Sequence, residues 1–219
     1  MNFTRFSVAK HQAVFLAIAL LLATGAAIAQ DTRAGAILDA MSAKYKSIPS
    51  FTASFTYNTE GAASDSYKGN VTTKGTKFRL KLAGQEVFND GKQVATFVKE
   101  TNEVNISDYE AGDNDLNPAN VYSIYKKGYK YRFIEETKEA GQTYEVVELT
   151  PDKKDTQVAK VRITVNKKDK SVRSWKVTNR NGQTQTFRID KFTPNPGVVD
   201  AFFVFDKSKY PGVEVVDLR

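Results

Sequence analysis

The chain has no cysteine and only one histidine, His11, among its 219 residues. Those two scarcities exclude most enzyme mechanisms. Without them a folded domain cannot build a Ser-His or Cys-His nucleophile, a thiolate zinc site or a histidine general base. No disulfide can staple the fold, so packing alone must hold it. The chain also lacks an internal repeat, a low-complexity segment and a linker, and its one long apolar run is Ala13 to Ala23. What remains is binding, or chemistry by carboxylates, lysines and hydroxyls.

That apolar run is too short for a membrane span, which needs about 20 residues. Arg5 and Lys10 precede it with no acidic residue, and Ala27-Ile28-Ala29 has the small-x-small form of a cleavage site. Residues 1–29 are therefore expected to be a signal peptide cut after Ala29, which removes His11 and directs the protein to the periplasm. Gln30 follows the cut, where a bacterial lipoprotein would need cysteine. Residues 30–219 then form a mature chain of 190 residues, the size of a single domain. Loss of Arg5 and Lys10 leaves 30 basic against 25 acidic residues, a net charge of about +5. This suits an anionic surface or acidic partner, while export argues against nucleic acid.

Ala34, Ile37, Leu38, Met41 and Tyr45 recur at helical spacing and predict an amphipathic helix ending before Pro49. The period then changes to two. Phe51, Ala53, Phe55 and Tyr57 alternate with Thr52, Ser54 and Thr56, and strands are predicted over 67–73, 77–82, 86–89, 93–99 and 103–108. A second short helix is expected from Asn117-Pro118, carrying Val121, Tyr122, Ile124 and Tyr125. Strands resume over 129–136, 143–150, 160–166, 172–178 and 184–192, and a last short piece spans Phe202 to Phe205 before an extended tail. Ala83-Gly84, Asn89-Asp90-Gly91-Lys92 and Asn181-Gly182 supply hairpin turns. The class is α+β, a large curved antiparallel sheet or incomplete barrel with helices over one face.

Local motifs do not lead to chemistry. Ser123-Ile124-Tyr125-Lys126 matches S-x-x-K, but its companion motifs are missing, and Lys74-Gly75-Thr76 has the wrong order. Asp113, Asp115 and Asn117 imitate the start of an EF-hand loop that then fails at Pro118 and Ile124. Glu135 and Glu136 would point to opposite strand faces, and no spacing tests a pairing of Glu100 with Glu103. Lys126 to Phe133 interleaves bases with aromatics, as a half-buried strand does. No catalytic residue, metal ligand or cofactor is assigned.

Four stretches together resemble the periplasmic outer-membrane lipoprotein carrier family, the LolA type. They are the helix leading into Ile48 to Thr56, the strand pair from Gly69 to Arg79, the hairpin Asn89-Asp90-Gly91-Lys92, and the ending Asp200 to Phe205 with Tyr210 to Arg219. The resemblance implies an unclosed antiparallel barrel of about ten or eleven strands, with short helices forming a lid over a hydrophobic cavity. It implies a carrier, expected to act as a monomer. Such a carrier takes acylated lipoproteins from an inner-membrane ABC exporter, shields their acyl chains and passes them to an outer-membrane acceptor. An envelope lipid- or lipoprotein-sensing domain of the same fold is the alternative.

The expected cavity and lid residues are Leu38, Met41, Phe51, Phe55, Tyr57, Val71, Phe78, Leu80, Phe97, Val104, Ile106, Val121, Tyr122 and Tyr125. Each strand assignment depends on phase, since a slip of one residue moves a whole set to the other face. Family members place an arginine near the end of the second strand, before a proline, as a latch on lid carbonyls. Lys74 and Gly75 stand there in this chain, so Lys74 is the expected latch, without the guanidinium fork. Val94-Ala95-Thr96 replaces an aromatic expected after the Asp-Gly-Lys turn.

Overall fold

The structure, a computed structural model, describes residues 31–61, 64–110 and 121–219. The signal segment and the Asp113–Pro118 loop lie outside them. The chain begins with α1 (Thr32–Lys46), capped by Asp31, whose Oδ1 accepts from Ala34 N at 3.0 Å. Its other oxygen, Oδ2, accepts from Phe133 N at 2.7 Å, so one side chain starts the helix and ties it to the sheet. Both backbone bonds hold the Asp31 carboxyl below its ordinary pKa, that from Phe133 most strongly.

Six strands follow in sequence: β1 (Ser50–Glu60), β2 (Ser66–Lys74), β3 (Lys77–Leu82), β4 (Gln85–Asn89), β5 (Gln93–Val98) and β6 (Glu103–Asp108). A 3-10 helix, Val121–Lys126, stands where a second α-helix is expected. A second meander comprises β7 (Tyr129–Glu139), β8 (Gln142–Pro151), β9 (Val158–Asn166), β10 (Val172–Asn179) and β11 (Thr184–Pro194). The Phe202–Phe205 piece is not a strand. It overlaps a short 3-10 turn, Asp200–Phe203, and the extended tail instead carries β12 (Glu214–Asp217).

All twelve strands join one sheet, in the order β12-β6-β5-β4-β3-β2-β1-β11-β10-β9-β8-β7. The two meanders meet where β1 pairs antiparallel with β11. β7 and β12 stand at opposite ends of the order, so the barrel is unclosed. Only β12 pairs in parallel among the described strands, its Glu214 to Asp217 lying against Glu103 to Ile106. Two hairpins, β3–β4 and β7–β8, turn through the dipeptides Ala83-Gly84 and Ala140-Gly141, all four residues with positive φ. That is the mirror-image turn that matches strand twist.

Residues directly opposite in an antiparallel sheet share a face, so the register assigns every side chain. One row runs Phe133, Val147, Ile163, Trp175, Phe187, Tyr57, Tyr67 across seven strands. Another runs Phe192, Ala53, Val71, Leu80, Val87, Thr96. This is the face that α1 covers. Tyr45 packs edge-on against Phe51 and Phe192, with ring centroids 5.9 and 5.6 Å away. At the other end of α1, the Arg33 guanidinium lies 3.5 Å from the Phe133 ring centroid.

Candidate functional site

The main core gathers beneath α1. Leu38 and Met41 project from the helix with no exposed surface, and Phe51, Phe55 and Val71 rise from β1 and β2 to meet the same cluster. Tyr125, from the 3-10 helix, joins it and donates its hydroxyl to Asp39 Oδ1 at 2.6 Å. Tyr122 stacks on Tyr45, centroids 5.5 Å apart. Burial pushes the Tyr45 hydroxyl up to about 12, although the Val172 N–H it accepts opposes the shift. Burial and the Asp39 bond raise that of Tyr125 as well.

The cover is partial. Tyr57, Leu80, Leu82, Trp175, Phe187 and Ile189 pack against this core on the same face yet remain half-buried. The Phe55 ring crosses directly over Gly69 on β2, where an added Cβ would stand 2.3 Å from Phe55 Cζ. Glycine is required there to admit the ring. Phe187 sits 4.7 Å from Tyr57 and 6.0 Å from Phe55, centroid to centroid, and continues the aromatic surface past the helix.

Of the expected cavity and lid positions, Leu38, Met41, Phe51, Phe55, Tyr57, Val71, Leu80, Tyr122 and Tyr125 meet in this one cluster. Phe78 shares the face through its pairing with Thr73 and is buried outside the cluster. The Val121 side chain lies outside the described residues. Phe97, Val104 and Ile106 are on the opposite face of the sheet, because Ile106 pairs with Ala95, Ala95 with Phe88 and Phe88 with Arg79. There they form a second cluster with Phe88, Ala95, Phe205, Tyr210 and Val213. Lys74 is also on that face. Its Nζ stands 2.7 Å from Asp200 Oδ1 and 3.3 Å from Val198 O, so it ties down the C-terminal segment.

An ionic clamp crosses the second cluster. Glu86 accepts from Arg79 Nε at 2.5 Å and from the Tyr210 hydroxyl at 2.8 Å, and Lys81 Nζ stands 3.1 Å away. Burial disfavours the Glu86 charge, but the bonds from Tyr210, Lys81 and Arg79 outweigh it and hold the carboxyl below its ordinary pKa. The Arg79 guanidinium lies between the Phe88 and Phe202 rings, 4.5 and 4.7 Å from their centroids. Beside it opens a surface pocket of about 250 Å³ lined by Arg79, Phe88, Val199, Ala201, Phe202, Val204, Asp206, Lys209 and Tyr210.

β10 and β11 contribute Trp175, Phe187, Ile189 and Phe192 to the helix-bearing face, and none of them is among the positions expected from sequence. The alternation Phe187, Ile189 within the predicted 184–192 strand is the signal that marks them.

With the geometry in place, the sequence matches over residues 46–206 the family described as outer membrane lipoprotein carrier protein LolA. The chain belongs to this family. No curated protein gives a significant match. Among solved structures, an uncharacterized conserved protein from Thermus thermophilus superposes with a TM-score of 0.58 at 14% identity, covering 84% of this chain and 99% of that one. A LolA superfamily protein from Nitrosomonas europaea gives 0.42 at 14% identity, over 79% of this chain and 98% of its own. The Pseudomonas aeruginosa MucA/MucB complex contains a chain that gives 0.44 at 16% identity, over 80% of this chain and 61% of its own. Among the described residues, the LolA fold of this chain is an unclosed twelve-stranded sheet carrying one α-helix.

Proposed function

We propose that this LolA-family chain is a periplasmic carrier that binds lipoprotein acyl chains against the helix-bearing face and takes them from the inner to the outer membrane. The supporting observation is the half-buried apolar margin of that face, from Tyr57, Leu80 and Leu82 to Trp175, Phe187 and Ile189. These side chains flank the closed core beneath α1. Ligand burial there would stabilise an acyl chain strongly: at ~0.8 kcal/mol per methylene, a chain of about sixteen carbons exposed to water costs on the order of 10 kcal/mol. The proposed lining comprises the nine expected positions that meet in the core, with Phe78 and the four residues of β10 and β11. The function is binding and transfer, with no catalytic step. An inner-membrane ABC exporter would load the carrier and an outer-membrane acceptor would unload it.

Protein isolated from the periplasm tests the proposal. Mass spectrometry should find an N-terminus at Gln30 and co-purifying acylated lipoprotein or lipid. Incubation with acceptor membranes should then release that cargo. Native protein that never holds or releases an acylated species would end the carrier reading.

A further inference from the structure

Three buried side-chain polar atoms lack a hydrogen-bond partner among the described residues: Ser42 Oγ, Asn89 Nδ2 and Trp175 Nε1. Leaving such a group unpaired costs about 1–3 kcal/mol, so each calls for a partner in the working molecule. Ser42 stands beside the Tyr125 hydroxyl, and a serine can donate or accept, so it gives no direction. The other two are one-way. An indole N–H only donates. In Asn89 the side-chain oxygen accepts from Gly91 N at 2.7 Å, which fixes the amide orientation and leaves the NH₂ group as the unpaired end.

Both donors are on the helix-bearing face. Trp175 is opposite Phe187 and Ile163, and Asn89 is opposite Phe78 and Val94. Phe187, the residue opposite Trp175 on β11, packs against the Tyr57 and Phe55 rings. Four strands separate β10 from β4 in the sheet order, so no single oxygen serves both donors. Asn89 is fully enclosed, whereas Trp175 stands at the half-buried apolar margin, so it is the indole that describes a ligand. A plain hydrocarbon offers no acceptor, and a phosphate or carboxylate would bring a charge to a half-buried apolar margin. A carbonyl oxygen at the head of a hydrocarbon chain is neutral, accepts, and arrives with the apolar surface that the rest of the face would cover.

We infer that Trp175 is a specificity determinant for ester- or amide-linked acyl chains, its Nε1–H donating to the acyl carbonyl while the alkyl tail lies along the half-buried margin. This rests on the carrier reading. It goes beyond it in naming the linkage chemistry and the atom that recognises it.

Trp175 is the only tryptophan in the chain, so its indole resonance and fluorescence report on this atom alone. The probes are a synthetic dipalmitoylated cysteinyl lipopeptide, its diether analogue without acyl carbonyls, and dipalmitoyl phosphatidylglycerol. In the full mature chain the lipopeptide should move the indole N–H resonance downfield and bind about tenfold more tightly than the diether, the difference that one hydrogen bond near 1.4 kcal/mol makes. Trp175→Phe should erase that preference without abolishing diether binding. The wild-type resonance is read independently, so a variant that misfolds does not remove the test. If the phospholipid moves the indole resonance downfield and the lipopeptide does not bind, carbonyl recognition stands and the lipoprotein cargo falls. Equal binding of ester and ether with an unmoved indole resonance overturns the inference and leaves the carrier. Binding of neither overturns both.

Discussion

Two apolar clusters occupy opposite faces of one sheet, and they are closed in different ways. Under α1 the contacts are mainly aromatic and aliphatic, and the polar ties are made singly along the helix. They are Asp31 at the helix start, Arg33 to Glu136, Tyr125 to Asp39, Lys44 to Asp169, and Val172 N to the buried Tyr45 hydroxyl. Under the C-terminal segment the ties cross the middle, where Glu86 gathers Arg79, Lys81 and Tyr210. Bonds that converge on one carboxylate reinforce each other more than bonds made singly along a helix. The first cover is therefore held by broad packing with separate bonds along its length, and the second by one convergent ionic network.

Deleting packing tests this contrast most strongly. Leu38→Ala removes a side chain with no exposed surface from the centre of the first cluster and should cost about 2–5 kcal/mol in urea unfolding. Gly69→Ala should follow at about 1–3 kcal/mol, because its Cβ would meet the Phe55 ring and push it off the face. Tyr210→Phe takes only the hydroxyl from Glu86. A bond to a charged group is worth about 1.5–3 kcal/mol, and the partial exposure of this one puts the expected loss at the lower end. Hydrogen exchange should rise over β12 and stay unchanged in α1. If α1 loosens equally, the two clusters are one cooperative unit and the contrast fails.

Acid and base probe the clamp more gently. Glu86 has a lowered pKa in the fold, so its contribution is full above the unfolded carboxylate value and disappears as pH falls through the folded one. Burial and the Glu86 bond push Tyr210 up to about 12. Its neutral form is the one stabilised, so that contribution holds below about pH 10, the unfolded tyrosine value, and is lost as pH rises towards 12. The Phe88 and Phe205 ring resonances should broaden at both extremes and stay sharp between them. The smallest effect belongs to the turns. Ala83→Gly and Ala140→Gly, one in each half of the sheet, relieve alanine at positive φ, and the strain relieved outweighs the added freedom of the unfolded chain. Each should add a few tenths to about 1 kcal/mol, read as a higher urea midpoint.

Much of this arrangement is legible in the sequence where one face alone is apolar. Phe51, Ala53, Phe55 and Tyr57 alternate cleanly with threonine and serine, and β1 lies in that phase. The phase is lost on β5 and β6. In Val94-Ala95-Thr96-Phe97-Val98 both faces carry apolar groups, so periodicity cannot say which side Phe97 takes. Phe202-Phe203-Val204-Phe205 has strand-like composition, yet Phe203 is fully buried within a 3-10 turn. Lys74 keeps the position of the expected latch but follows its strand's alternation to the face away from α1, where Asp200 holds it. β12 is only four residues long and pairs with a strand from the first half of the chain, a partnership that no local pattern announces.

That last pairing has a kinetic side. β6 is made early, and until the final residues arrive it has a free hydrogen-bonding edge and an uncovered Val104. A nascent chain thus spends about half of its synthesis with one strand open to foreign strands, a known route to aggregation. Closure by Glu214 to Asp217 spans nearly the whole contour of the second meander, so it belongs among the slow, non-local steps of folding. Truncation of the last six residues would leave both meanders paired as they are and the molecule unable to finish its edge.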